Sequence, residues 1–152
     1  MLYDDYKKWL RYSDRDFWEI QSNDGSPIVN RYYSFGVMGR KEFDKYNVST
    51  IPVIISTQFG IDKSIIMKIF VDPEEFDASD FMYTKLAEEL STSSHPQQHA
   101  QVFAVDGRII VGVIMDNSDG RLTVDDLQSV RTYLSDATKY FFPHFLKLKH
   151  GF

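Results

Sequence analysis

The chain has 152 residues, 43% of them hydrophobic and 15% aromatic, a single-domain length with too much apolar content for a disordered polymer. Its net charge of −5 and pI of about 5.3, with no dense basic run, speak against a nucleic-acid surface. It has no cysteine, which removes disulfides, thiolate nucleophiles and cysteine zinc sites. With no apolar N-terminal segment and no apolar run of about 18 residues, the expectation is a cytoplasmic protein without signal peptide or membrane span.

In chain order, Leu2, Tyr6, Trp9 and Leu10 recur at helical spacing and predict a short amphipathic helix. Asp16 to Gln21 alternates as a strand does. Asn23-Asp24-Gly25-Ser26-Pro27 is turn chemistry, and Ile28 to Phe35 reads as the second strand of a hairpin. Gly36 to Asn47 fits either a short helix around Arg40–Tyr46 or an ordered loop. Ile51 to Thr57 and Ser64 to Val71 are β-rich runs, and Pro52 favours an edge or first-residue position in its strand. Asp77 or Ser79 can cap a helix over Phe81, Met82, Leu86, Ala87 and Leu90, and Ser91 to Gln98 is a polar loop.

Asp106-Gly107 is the sharpest local signal. It is the type I′ turn dipeptide between Gln101–Val105 and Arg108–Met115, a hairpin whose arms are apolar on both faces. Such arms predict a central position in the sheet, covered on both sides or facing a partner. Gly112 inside the second arm predicts a bulge or a close approach. Thr123-Val124-Asp125-Asp126 resembles a capping box, followed by Leu127, Val130, Leu134, Ala137 and Phe141 at helical steps. Pro143 is expected to close that helix, leaving His144–Phe152 as a last strand or a docking segment. Residues 1–152 therefore read as one α+β domain. Its core is a mostly antiparallel sheet of about five to six strands, packed by a short N-terminal, a middle and a long C-terminal helix.

Catalytic and metal motifs are weak. Aligning Gly120 with the glycine of a calcium loop places Met115 where an aspartate is needed and Asp126 where a glutamate is needed. His95 and His99 are four apart, but Pro96 argues against a helix between them, and no third ligand is evident even with His144 and His150 in view. Gly36 and Gly39 match neither a dinucleotide nor a phosphate loop. No serine sits in a nucleophile elbow. The expectation is no catalytic residue, no metal and no cofactor.

The run Val105-Asp106-Gly107-Arg108-Ile109-Ile110-Val111, followed by Leu122-Thr123-Val124-Asp125-Asp126-Leu127, resembles the class I type III secretion chaperones and the related YbjN-like proteins over residues 50–143. The resemblance implies a small acidic homodimer without catalytic activity that binds an extended segment of another protein. Ile109, Val111 and Val113 of the hairpin, with Leu127, Val130 and Leu134 of the last helix, are the matching interface positions, and the aromatic tail adds Phe141 and Phe145. The leading reading is thus a protein-binding module: a chaperone, adaptor, or inhibitor or immunity-type protein. One alternative is a small-molecule- or nucleotide-binding domain, or a weakly marked enzyme, with Arg31, Tyr32, Tyr33 and Arg40 around a pocket. Another is a structural part of a larger assembly.

Overall fold

The structure, a computed structural model, describes residues 2–13, 15–71, 101–105 and 108–149, and the side chains of 101–108, 148 and 149 fall outside that description. The expected middle helix, the Ser91–Gln98 loop, His95, His99 and His150 lie outside the described residues, as do Asp106 and Gly107 themselves.

The elements run α1 (Leu2–Tyr12), β1 (Trp18–Gln21), β2 (Pro27–Gly36), α2 (Lys41–Asp44), β3 (Thr50–Phe59), β4 (Ser64–Val71), β5 (Gln101–Val105), β6 (Arg108–Asp116) and α3 (Val124–Lys149). The six strands of the described residues form one antiparallel sheet in the order β1-β2-β3-β4-β6-β5. This is the expected α+β architecture, with α3 packing against β4, β6 and α1.

Strand parity divides the side chains into two layers, because successive residues point to opposite faces. In β2, β3, β4 and β6 the odd-numbered residues face the helices. Val29, Phe35, Ile51, Val53, Ile55, Ile65, Met67, Ile69, Ile109 and Val111 are all buried there. Tyr6 and Leu10 of α1 join them, as do Leu127, Leu134, Phe141, Phe142, Phe145 and Leu146 of α3. The α1 residues expected on one face do share it, since Leu2 and Trp9 pack half-buried against the same core.

The hairpin β5–β6 pairs Val105 with Arg108, the two-residue connection that Asp-Gly turns make. Its place differs from expectation. Among the described residues β5 ends the strand order, so the hairpin is at one side of the sheet and not at its centre. Its doubly apolar arms are instead explained by β6, flanked by β4 and β5, with Ile109 and Val111 in the core and Ile110 also buried. Gly112 marks a close approach and no bulge: the β4–β6 register runs unbroken past it. A Cβ there would lie 3.3 Å from both the Lys68 Cγ and the Met67 carbonyl oxygen.

Pro52 also departs from expectation. It sits opposite Ser34 in a strand flanked on both sides, and among the described residues the ladder to β4 begins at Val53, opposite Val71. Pro52 is the third residue of β3, near the strand start where a missing N–H is most readily tolerated.

The largest correction is at the C-terminus. Pro143 lies inside α3, which continues to Lys149, so His144–Lys149 is neither a strand nor a separate docking segment. The alternation in His-Phe-Leu-Lys-Leu-Lys imitates a strand. The spacing that decides is Phe141, Phe142, Phe145 and Leu146, which falls on one helical face and is buried throughout. Phe142 stacks on Phe43 of α2 at 6.2 Å, with Phe145 tilted against it at 5.4 Å. Burying four such side chains contributes about 1.5–3 kcal/mol each, which outweighs the roughly 3 kcal/mol that an interior proline costs. The other end of α3 is as expected. The Thr123 N–H donates to the Asp126 carboxylate at 2.8 Å, and the Asp126 N–H to the Thr123 Oγ1 at 3.3 Å, a reciprocal capping box.

Candidate functional site

The even-numbered residues of β1 to β4 and β6 face away from α1 and α3. On this face, left open among the described residues, the registers bring together Trp18 and Ile20 of β1, Tyr32 of β2, Ile54 of β3, Ile66 and Phe70 of β4, and Ile114 of β6. A folded monomer ordinarily buries such groups, yet Tyr32 is 75% exposed, Ile114 68% and Ile20 49%. The Trp18 and Tyr32 rings meet at a centroid distance of 4.8 Å, tilted by 40°, forming an aromatic ridge at the β1 side. The face is concave, a groove of about 760 Å³ running from Trp18 and Ile20 across Tyr32 and Ile54 to Ile66 and Phe70. Asn30, Ser34, Ser56 and Gln58 supply hydrogen-bonding groups along it, and among the described residues Lys68 is the only charged side chain in its lining.

A second cluster lies on the helix-covered side, where β2 meets α1 and α3. Arg31 is 2% exposed, with its guanidinium 5.9 Å from the Trp9 ring centre and 5.6 Å from that of Tyr33. Arg15 shares the Trp9 ring at 5.2 Å, and Arg131 shares the Tyr33 ring at 5.3 Å. Burial is the chief cause that draws the Arg31 guanidinium below its ordinary value, with the like charges of Arg15 and Arg131 adding to it against an opposing effect of Tyr6. The Tyr33 hydroxyl is held below its usual range, first by a hydrogen bond from the Arg131 side chain.

At the edge of the same layer, Glu19 accepts a hydrogen bond from the Tyr3 hydroxyl at 2.8 Å and pairs with Lys7 at 3.2 Å. These contacts, Tyr3 foremost, hold the Glu19 carboxyl below its usual range. They tie α1 to β1 and resemble no acid–base pair. Asp116 and Asp119 each accept from a backbone N–H two residues on, Ser118 and Arg121, the geometry of turns. Among the described residues no group of three or more histidines or carboxylates converges as a metal site would, and no helix is long and apolar enough to cross a membrane.

The positions expected at a partner interface are mostly interior. Ile109, Val111, Leu127, Leu134, Phe141 and Phe145 are buried in the chain's own core, and Val113 and Val130 pack half-buried against it. Of the expected ligand residues, Arg31 and Tyr33 do come together. Tyr32 points to the opposite face, as its neighbour in a strand must, and Arg40 is exposed ahead of α2. Sequence reasoning missed the open face, although a signal was present. Ile-Pro-Val-Ile-Ile and Ser-Ile-Ile-Met-Lys-Ile-Phe are apolar at even as well as odd positions, the same doubly apolar pattern that drew attention to the Asp-Gly hairpin. Arg15 and Arg131 carried no such signal, being distant in sequence from Arg31.

Fold and site together define a class: an antiparallel α+β domain with helices on one face of its sheet and an apolar groove on the other. Comparison with protein-family models, with curated proteins and with solved structures finds no match.

Proposed function

We propose that the chain is a protein-binding module that receives an extended segment of a partner polypeptide on the open face of its sheet. The observation that carries this reading is the groove from Trp18 to Phe70, where the exposed Trp18, Ile20 and Tyr32 adjoin the half-buried Ile54, Ile66 and Phe70, since a concave apolar site with a few polar groups suits a binding partner. The aromatic ridge of Trp18 and Tyr32 fits the enrichment of such rings at binding hot spots. Lys68, the one charged group of the lining among the described residues, favours a partner segment that is mainly apolar and carries one acidic residue. The resemblance to secretion chaperones points the same way, although the surface proposed here is the open face and not the buried positions which that resemblance implies.

The test is binding by a panel of immobilised peptides in extended registers, with and without one acidic residue among alternating apolar ones. Acid-containing apolar peptides should bind. The double variant Tyr32→Glu/Ile54→Glu should lose at least about tenfold in affinity, as expected when charges enter a hot spot, while keeping its circular dichroism. Binding that survives this variant, or absence of binding by every peptide, defeats the proposal. A wild-type dimer that the two glutamates dissociate would identify a second copy of the chain as the occupant and overturn the partner reading.

A further inference from the structure

Arg31 presents a physical problem that the groove does not address. Its Nε and Nη2 are buried without a hydrogen-bond partner among the described residues, and so are the Nε atoms of Arg15 and Arg131. Among the described residues none of these three arginines forms an ion pair; Lys7 takes Glu19, and Asp119 lies beside Arg121. A guanidinium remains charged at any physiological pH, and a buried charge without a counter-charge costs several kcal/mol. Stacking on Trp9 and Tyr33 returns only about 0.5–2 kcal/mol per ring, and the three like charges repel one another.

We propose that Arg15, Arg31 and Arg131 form a site for a small phosphate-bearing anion on the helix-covered side of the sheet, separate from the open-face groove. The three come from distant parts of the chain: Arg15 from the connection after α1, Arg31 from β2 and Arg131 from α3. The Trp9 ring centre lies 5.2 and 5.9 Å from the Arg15 and Arg31 guanidinium carbons, and the Tyr33 ring centre 5.6 and 5.3 Å from those of Arg31 and Arg131. A carboxylate would neutralise only one of three cations. A phosphate group brings roughly −1.5 to −2 charges and three acceptor oxygens, which suit forked guanidinium donors. The chain as a whole is acidic, so an anion would be drawn by this local cluster and not by the overall field. Arg15 and Arg131 are only half-buried and give the site its approach from solvent, while Arg31 forms its floor.

The experiment compares melting temperature and calorimetric binding in inorganic phosphate and in sodium chloride at equal ionic strength. Phosphate at about a hundred times its dissociation constant should raise Tm by roughly 5–10 °C over chloride. Arg131→Gln, at a half-exposed position, should fold normally and weaken phosphate binding at least about tenfold, the loss of one charge-assisted contact. Arg31→Met should abolish the phosphate response while melting in chloride no lower than the wild type, because it removes the uncompensated charge and keeps the volume. Equal melting in phosphate and chloride would overturn the proposal, whether the cluster is then a structural stack or is completed by a partner's carboxylate. A phosphate response that persists in both variants would overturn it as well, locating the anion elsewhere.

Discussion

Asp24 shows how much one short side chain can organise. It follows Ser22 in the β1–β2 turn and accepts from the Ser22 hydroxyl and, at 2.9 Å, from the Ser26 N–H, while Gly25 takes the positive φ of 86° that the turn requires. These hydrogen bonds, the Ser22 hydroxyl first, lower its carboxyl from 3.8 to about 2. A depressed carboxyl contributes stability that is complete above its unfolded pKa and is lost as pH falls through the folded one. The contribution from Asp24 should therefore disappear between about pH 4 and pH 2. A carboxyl-carbon NMR titration should place its midpoint near 2, and Ser22→Ala should move that midpoint upward. A wild-type midpoint near 3.8 would show that the turn does not engage the carboxylate.

Among the elements, α3 best separates local preference from tertiary demand. Its start was legible because a capping box is a local code: Thr123 and Asp126 satisfy each other's backbone N–H groups within one turn. Its end was not legible, because proline's local cost is offset by phenylalanine burial against α2 and the sheet, which no window of adjacent residues contains. Thr138 illustrates the same dependence: fully buried among these apolar groups, its hydroxyl donates back to the Leu134 carbonyl at 2.8 Å. If Pro143 is tolerated and not required, Pro143→Ala should restore a backbone donor and stabilise the domain by about 1–3 kcal/mol in urea unfolding. A loss of stability would mean that the proline's geometry is what aims Phe145 and Leu146 into the core.

At the scale of the whole molecule, the two faces of the sheet should answer differently to substitution. Phe142 is fully buried between α2 and α3, and Phe142→Ala should cost about 3–5 kcal/mol, a large share of the 5–15 kcal/mol by which a domain is ordinarily stable. Tyr32→Glu, on the open face, should cost only about 0.5–1.5 kcal/mol, the worth of its ring contact with Trp18. Chemical denaturation of the two single variants measures the contrast. Comparable losses would mean that the open face is part of the folding core and not a binding surface.

The sequence by itself determined the types of α1 and of the strands, the pairing of the arms around Asp-Gly, the capped start of α3 and the amphipathic face of α1. All of these rest on spacings of one to four residues and on turn chemistry within a few positions. Tertiary structure alone decided which strands adjoin, that β5 ends the strand order among the described residues, and that α3 runs through Pro143. It also decided that the hairpin and helix positions expected at an interface face inward, and that Arg15, Arg31 and Arg131 meet. Such outcomes depend on burial and charge contacts between residues tens of positions apart, which local pattern cannot encode. The open face stands between the two: both parities of the apolar runs were written in the sequence, but only the placement of α1 and α3 on one side showed which parity was left uncovered among the described residues.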